Sequence, residues 1–122
     1  MNFSSILFVA LGGMIGSVTR YIIGISIRSA SFPIGTLTVN IFGSFIIGLM
    51  YGVAVRHDTF AQSKWWLFIV TGVCGGFTTF SAFSLESVQL IQQERIGVFG
   101  AYVTASVVFG LTATYIGYLL TK

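Results

Sequence analysis

A short stretch of small, hydroxyl-bearing and aromatic residues, residues 72–84, could bind an ion inside an otherwise apolar chain. It contains two adjacent glycines and two adjacent threonines, which are poor material for a straight helix. Glycine leaves the backbone free, and threonine is stiff at χ1. Lipid cannot satisfy exposed backbone groups, so a break inside a bilayer must be buried in protein or line a wet cavity. The stretch therefore predicts a broken transmembrane helix whose freed carbonyls could hold an ion.

Two other segments repeat polar or small residues at every fourth position, which places those residues on one face of a helix. The first stripe comprises Thr36, Asn40, Ser44, Gly48 and Gly52, and the second comprises Tyr102, Ser106, Gly110, Thr114 and Tyr118. Asn40 has two interpretations: its amide could bond across helices, worth about 0.6 kcal/mol, or its NH2 group could donate to an anion in transit. The two stripes carry more polarity than packing requires and indicate a pathway.

One charged residue, Arg20, lies deep in the first apolar segment. Gly12, Gly16 and Gly24 lie on its stripe, and we expect them to allow close packing, as small residues four apart do. A charge at this depth normally faces protein or water. Arg20 therefore either snorkels toward the helix end or attracts anions, and both interpretations stay open.

Residues that would support catalysis are scarce, and the sequence contains no phosphate loop, nucleophile elbow or zinc motif, so we do not expect an enzyme. We expect Cys74, the only cysteine, to be a packed residue and His57, the only histidine, to lie at the surface. The apolar segments carry no Asp or Glu before Glu86, which argues against a proton-coupled exporter. A lining of hydroxyls, an amide and phenyl rings, with Arg20 near one end, suits an anion.

Four apolar runs must position these residues. Of the 122 residues 55% are hydrophobic and 7% are charged, whereas an ordinary soluble domain has about 25% charged residues. We predict an all-α membrane protein, a single transmembrane domain over residues 1–122. Its helices cover about residues 4–27, 34–55, 65–85 (continuing to about 93) and 97–120. As one straight helix, residues 65–93 would measure about 44 Å, more than a bilayer core of about 30 Å, which again predicts a break near Gly75 to Thr79.

Basic residues are divided almost evenly between the two sides that four spans create. One side carries Arg56, Lys64 and Lys122, and the other carries Arg28 and Arg95, with the half-buried Arg20. Orientation follows the excess of Lys and Arg in short loops, so this balance predicts insertion in both orientations. One small chain also leaves little interior for a pathway, and symmetric dimers are the commonest oligomers. We therefore expect an antiparallel, dual-topology homodimer.

Three motifs follow one another along the chain: GGMIGSVTRY at residues 12–21, TLTVNIFGSF at residues 36–45 and GGFTTFSAF at residues 75–83. In order and spacing they strongly resemble the Fluc family of fluoride channels, also called CrcB, and the resemblance covers essentially the whole chain. It implies a bacterial inner-membrane channel that lets fluoride leave the cytoplasm passively and so gives fluoride resistance. It also implies an antiparallel homodimer with two pores and a central structural sodium ion.

The resemblance assigns roles to individual residues by motif position. Phe80 and Phe83 would line the fluoride path, since the edges of their rings carry partial positive charge. Asn40 would be a polar donor near them, and Arg20 would be the cation of the vestibule. The other pore residues implied in this way are Ser81, Tyr102, Ser106, Thr36 and Glu86.

The same resemblance implies that Gly75 and Thr78 hold the sodium ion with backbone carbonyls from both subunits. Two positions depart from the family pattern. Ala82 stands where the family usually has Thr within Phe-Ser-Thr-Phe, so the polar track beside the rings could be thinner. Gly110 stands where a second serine of the fourth helix is often found.

Two other functions stay open alongside a fluoride channel. One is a small dual-topology, proton-coupled multidrug or cation exporter, which matches the size and the number of spans. The other is a non-transporting subunit of a membrane assembly.

Overall fold

A computed structural model describes residues 2–122, which form helices joined by short connections. Helix α1 is Phe3–Ser26, and Asn2 caps it by accepting a hydrogen bond from the Ser4 N–H. Helix α2 is Ile34–Arg56, and a short 3-10 helix, Phe60–Gln62, follows it in the second connection. His57 is exposed in that connection, as expected.

The third helical stretch changes form along its length. A short α-helix Lys64–Trp66, a π-helix Leu67–Cys74 and a short α-helix Gly75–Phe77 follow one another, and together we call them α3. Thr78 (φ −82°, ψ 156°) and Thr79 (φ −151°, ψ 113°) are extended. Helix α4, Phe80–Gln92, begins directly after them, and helix α5 is Ile96–Thr121. The helical path is thus interrupted at the paired threonines.

By length and composition, four helical stretches are able to cross a membrane: Phe3–Ser26, Ile34–Arg56, Lys64–Gln92 and Ile96–Thr121. Within their most apolar windows, 11%, 28%, 22% and 6% of the residues are buried inside the chain. Most of the apolar surface of α1 and α5 therefore faces outward, where lipid or another protein chain must cover it.

Helices α1 and α3 touch through glycine. A Cβ on Gly12 would overlap the carbonyl oxygen of Phe68, and one on Gly16 would overlap the carbonyl oxygen of Val73. At these two positions the expected role of small residues is observed. At Gly24 the space where its own Cβ would stand is open, although its Cα would lie 3.5 Å from a Cβ built on Gly35 of α2.

Helices α2 and α5 pack closely along the C-terminal halves of the two polar stripes. A Cβ on Gly48 would overlap the backbone of Thr114, and one on Gly117 would overlap the carbonyl oxygen of Phe45. This half of the stripes is therefore filled by backbone packing between the two helices. The polar groups of the other half lie beside α4.

The main hydrophobic core lies in that other half, where α2, α4 and α5 meet. Leu37, Leu90 and Tyr102 form its buried centre, and Phe32 and Phe83 pack against them. Cys74 is also fully buried, as expected of a packed residue. The core therefore fixes α4, which carries the aromatic and acidic residues of the candidate site, against α2 and α5.

Candidate functional site

The side chain of Asn40 binds the backbone at the interruption between α3 and α4. Its Nδ2 donates to the carbonyl oxygen of Thr79 at 3.1 Å, and the N–H of Thr79 donates to its Oδ1 at 2.7 Å. The Thr79 hydroxyl caps α4 by accepting a hydrogen bond from the Ala82 N–H at 3.1 Å. Of the two interpretations of Asn40, a bond across helices is the one observed, and one N–H of its amide remains for a further acceptor.

Arg20 reaches the same interruption from α1. Its Nε donates to the carbonyl oxygen of Gly76 at 3.0 Å, an oxygen that the Phe80 N–H would have bound in an unbroken helix. Its terminal nitrogens make no hydrogen bond with residues 2–122. Arg20 also lines a small cavity of about 70 Å³ together with Thr36, Thr79 and Ala82. It therefore satisfies the broken backbone and still presents a positive charge to that cavity.

The interruption leaves carbonyl oxygens without hydrogen-bond donors from residues 2–122, among them those of Gly75 and Thr78. In an unbroken helix the Gly75 oxygen would bind the Thr79 N–H, and the Thr78 oxygen would bind the Ala82 N–H. Those donors are instead bound by Asn40 and by the Thr79 hydroxyl. Within residues 2–122 no donor replaces them, and Gly75 is exposed.

Side-chain metal ligands do not cluster in the part of the chain that the structure describes, since it contains no group of three or more His, Cys, Asp or Glu suited to a metal. A cation at the interruption would thus depend on backbone oxygens. Hard cations prefer such all-oxygen donors.

Four aromatic rings follow one another from the interruption toward the α1–α2 connection. The ring centroids of Phe80 and Phe83 are 5.6 Å apart, those of Phe83 and Tyr102 are 5.2 Å apart, and those of Tyr102 and Phe32 are 5.6 Å apart. Tyr102 is fully buried, whereas Phe80 is 79% exposed. We call these four residues the ring series.

The carboxylate of Glu86 joins three helices beside the ring series. Its Oε1 accepts a hydrogen bond from the Thr36 hydroxyl of α2 at 2.6 Å, and its Oε2 accepts one from the Tyr102 hydroxyl of α5 at 2.8 Å. Hydrogen bonds to an ionised carboxylate are about twice as strong as neutral ones. Thr36, Glu86 and Tyr102, which the sequence places in three separate segments, are thus one connected group.

The two remaining serines differ in their partners. The Oγ of Ser81 lies 3.2 Å from the Oγ1 of Thr79, at the start of α4. The Oγ of Ser106 is buried and is the one such side-chain atom within residues 2–122 that lacks a hydrogen-bond partner. A buried hydroxyl without a partner is costly, which makes Ser106 a candidate donor or acceptor for an ion or a water molecule.

Sequence reasoning missed two residues of this site. Thr79 precedes a helix, and threonine there is a common N-cap signal that could have revealed its role. Phe32 lies in the loop between α1 and α2, and no periodic pattern connects it with Tyr102, which lies 70 residues further along the chain.

Comparison with known proteins gives consistent matches over almost the whole chain. A family model described as "CrcB-like protein, Camphor Resistance (CrcB)" matches residues 7–118. A protein of Agrobacterium fabrum named "Fluoride-specific ion channel FluC" is 48% identical over 119 residues, which cover 95% of this chain and 94% of that protein. A protein of Nitrobacter hamburgensis named "Fluoride-specific ion channel FluC 1" is 44% identical over 96% of this chain and 94% of its own length. A protein of Leptospira interrogans with the same name as the first is 40% identical over all of this chain and 98% of its own length.

Proposed function

This chain belongs to the CrcB family, and we propose on that premise that it is a fluoride-selective channel through which fluoride leaves the cytoplasm passively. The observation that carries the proposal is 40–48% identity, over nearly the whole chain, to proteins named fluoride-specific ion channels. With four helices able to cross a bilayer, the chain is a multi-pass bacterial membrane protein. We place it in the inner membrane and the interruption of its third span near mid-membrane.

The proposed path begins at Arg20, whose terminal nitrogens make no hydrogen bond within residues 2–122 and attract an anion toward the interruption. Phe80 and Phe83 then line the path with ring edges of partial positive charge, which suit an anion that has shed part of its water. The remaining amide hydrogen of Asn40 is a nearby donor. These groups attract a small anion without binding it so tightly that it cannot leave.

Hydroxyl groups continue the proposed path beyond the rings. Tyr102 and Thr36 donate to Glu86, which partly compensates the negative charge of that carboxylate and keeps both hydroxyls oriented. The hydroxyl of Ser106, which has no partner in the described part of the chain, and the exposed residue Ser81 are further polar contacts for a hydrated ion.

A structural sodium ion fits the carbonyl oxygens at the interruption. The carbonyl oxygens of Gly75 and Thr78 lack donors within residues 2–122, and a hard monovalent cation suits such oxygens. Two carbonyls from each of two chains would give a four-oxygen site. When bound, the ion would neutralise these oxygens and tie the two interruptions together.

Two chains are proposed to assemble as an antiparallel homodimer with two pores. A single chain leaves Phe80 79% exposed and Gly75 exposed, so the rings and the freed carbonyls both face outward. Wide apolar faces on α1 and α5 also remain uncovered. A second copy would cover part of this surface and complete both sites.

Fluoride efflux from liposomes tests the function. Purified protein is reconstituted into vesicles loaded with potassium fluoride, and efflux is followed with a fluoride electrode after valinomycin is added. We expect rapid efflux that needs no proton gradient, and little efflux from matched chloride-loaded vesicles. A proton-coupled exporter would require a pH gradient, and an assembly subunit would release no fluoride in either condition. Either result would contradict the proposal.

Removal of sodium tests the ion site. The protein is purified and reconstituted with N-methylglucamine as the only cation, long enough for trapped ions to exchange. We expect lower efflux and a lower midpoint of thermal unfolding, and both should return when sodium is added to the two sides equally. Full activity after complete exchange would exclude a structural role for sodium.

A further inference from the structure

The loop between α1 and α2 crosses the end of the site where Glu86 lies. Two cavities, of about 400 and 270 Å³, open on either side of this loop, and both reach Glu86. Ser29, Ala30, Phe32 and Pro33 line both cavities, so this part of the loop separates them. An ion that moves between Glu86 and the solution through either cavity therefore passes this loop.

Phe32 is the member of the ring series that the loop contributes. Its ring packs edge to face on Tyr102, with centroids 5.6 Å apart and the ring planes at 80°. Phe83 lies against the same tyrosine, 5.2 Å away. Tyr102 is therefore held between one ring from α4 and one ring from the loop, and this leaves its hydroxyl directed at Glu86.

Arg95 fixes the loop to the end of α4. Its Nη1 donates to the carbonyl oxygen of Ala30 at 3.4 Å, and its Nη2 donates to the carbonyl oxygen of Ser31. Two carbonyls of adjacent residues thus bind one planar guanidinium group, whose fixed fork suits two acceptors.

The end of α4 is shaped so that Arg95 reaches the loop. The N–H of Arg95 binds the carbonyl oxygen of Leu90 at 2.9 Å, and the N–H of Glu94 binds that of Ile91 at 3.0 Å. This is the Schellman arrangement, which needs a left-handed residue at the position of Glu94. Glu94 has φ 58°, although it is not a glycine. The turn therefore ties the backbone of Arg95 to the helix that carries Phe83 and Glu86.

From these contacts we infer that Phe32 and Arg95 are positioning residues of the ion path. Arg95 holds the loop, the loop holds the ring of Phe32 on Tyr102, and Phe32 keeps the Tyr102 hydroxyl on Glu86. The inference rests on the proposed function, since the path it concerns is that of fluoride. It adds the α1–α2 loop, which none of the three sequence motifs includes, to the machinery of the channel.

Efflux measurements on four variants test the inference. Phe32→Leu removes the ring, and we expect at least fivefold slower fluoride efflux per reconstituted protein. Phe32→Tyr keeps a ring and should retain at least half of the efflux. Arg95→Lys keeps the positive charge of the α4–α5 connection, and hence the charge balance that sets orientation, but removes the planar guanidinium group. We expect it to slow efflux at least threefold. If Arg95 acts through Phe32, the double variant should be no slower than Phe32→Leu alone.

Two matched control variants lie in the connection between α2 and α3, away from the α1–α2 loop. Arg56→Lys makes the same exchange in the second connection, and Phe60→Leu removes a loop ring that packs edge to face on Trp66 with centroids 6.0 Å apart. Both should leave efflux unchanged, and Phe60→Leu should lower thermal stability about as much as Phe32→Leu does.

The outcomes separate the inference from the function on which it rests. Efflux at the unmodified rate in both Phe32→Leu and Arg95→Lys, with the unmodified protein active, would overturn the inference alone. Equal slowing by Phe32→Leu and Phe60→Leu would show that loss of packing is sufficient, and would overturn it too. An unmodified protein that releases no fluoride would overturn both the function and the inference.

Discussion

Phe80 and Phe83 have ring centroids 5.6 Å apart on the first turn of α4, yet their surroundings differ sharply. Phe80 is 79% exposed on the single chain, whereas Phe83 packs against the fully buried Tyr102. One ring is thus free to meet an ion or a second chain, and the other is anchored to the core.

Substitution of the two rings should separate conduction from stability. Phe80→Ile and Phe83→Ile should each slow fluoride efflux at least tenfold, because both remove a ring edge from the proposed path. Only Phe83→Ile should also destabilise the chain, by about 1–2 kcal/mol, because a ring packed against the core is replaced by a side chain of different shape. Efflux from liposomes and thermal unfolding in detergent measure the two effects. Unchanged efflux in both variants would mean that the rings do not line the path.

Asn40 should be needed for the geometry of the interruption. Asn40→Leu leaves the N–H and the carbonyl oxygen of Thr79 without partners, at a cost of about 1–3 kcal/mol for each buried group. Asn40→Asp keeps the acceptor for the Thr79 N–H but loses the donor to its carbonyl. We expect both variants to lose efflux and Asn40→Leu to be the less stable in thermal unfolding.

The matched control lies two residues away on α2. Thr38 donates only to the Ile34 carbonyl of its own helix, at 2.7 Å. Thr38→Val should therefore keep both stability and efflux. A stable, conducting Asn40→Leu would show that the interruption holds its shape without the amide.

The helices could be predicted from sequence because their signals are local. Charge-free runs mark the four spans, and the adjacent glycines and threonines mark a weak point in the third. The exact position of the interruption could not be predicted. It depends on Asn40, 39 residues away, which binds the peptide groups of Thr79. The π-helix Leu67–Cys74 also lacks a sequence signal of its own.

Contact between the α1 and α3 backbones should make Gly12 intolerant of even one methyl group. A Cβ at Gly12 would overlap the Phe68 carbonyl oxygen, whereas a Cβ at the neighbouring Gly13 would meet nothing within 4 Å. Gly12→Ala should therefore destabilise the chain by about 1–3 kcal/mol through overpacking. Gly13→Ala should be neutral or stabilise it by up to about 1 kcal/mol, as alanine favours a helix. Thermal unfolding compares the pair, and equal midpoints would contradict the observed packing.

Ala82 lies where a hydroxyl could be restored. It lines the cavity of about 70 Å³ that Arg20, Thr36 and Thr79 also line. Ala82→Thr should keep or raise fluoride efflux, because it adds a third hydroxyl to this cavity beside those of Thr36 and Thr79. Ala82→Val, which has the same shape without the hydroxyl, should not raise it. A marked drop with Thr but not with Val would mean that the path is adapted to alanine.

The candidate site was only partly predictable, for a related reason. Residue types and motif spacing singled out Thr36, Glu86 and Tyr102 separately. Their common hydrogen bonds became apparent only when α2, α4 and α5 were packed together. Phe32 carried no signal, because a lone aromatic residue in a loop has no period and its partner is distant in sequence.

Orientation in the membrane should be mixed, because the charges that decide it are balanced. Arg56, Lys64 and Lys122 lie on one side, and Arg28, Arg95 and the half-buried Arg20 lie on the other. With so little excess of Lys and Arg in the short loops, neither orientation is favoured. A cysteine added at the C-terminus of a Cys74→Ala variant can be labelled from each side of the membrane with a thiol reagent that does not cross it. Both populations should be found.

Biased variants turn this expectation into a test of assembly. Asp58→Lys with Gln62→Lys adds basic residues to the second connection, and Arg56→Gln with Lys64→Gln removes them from the same side. All four positions are exposed, so the changes should affect orientation rather than packing. Each biased protein expressed alone should insert in one orientation and release no fluoride, because an antiparallel pair cannot form. Co-expression of the two should restore efflux, while Asp58→Asn, the matched control, should stay mixed and active, since acidic residues count little. Full activity from a biased protein that inserts in a single orientation would show that the working assembly is not antiparallel.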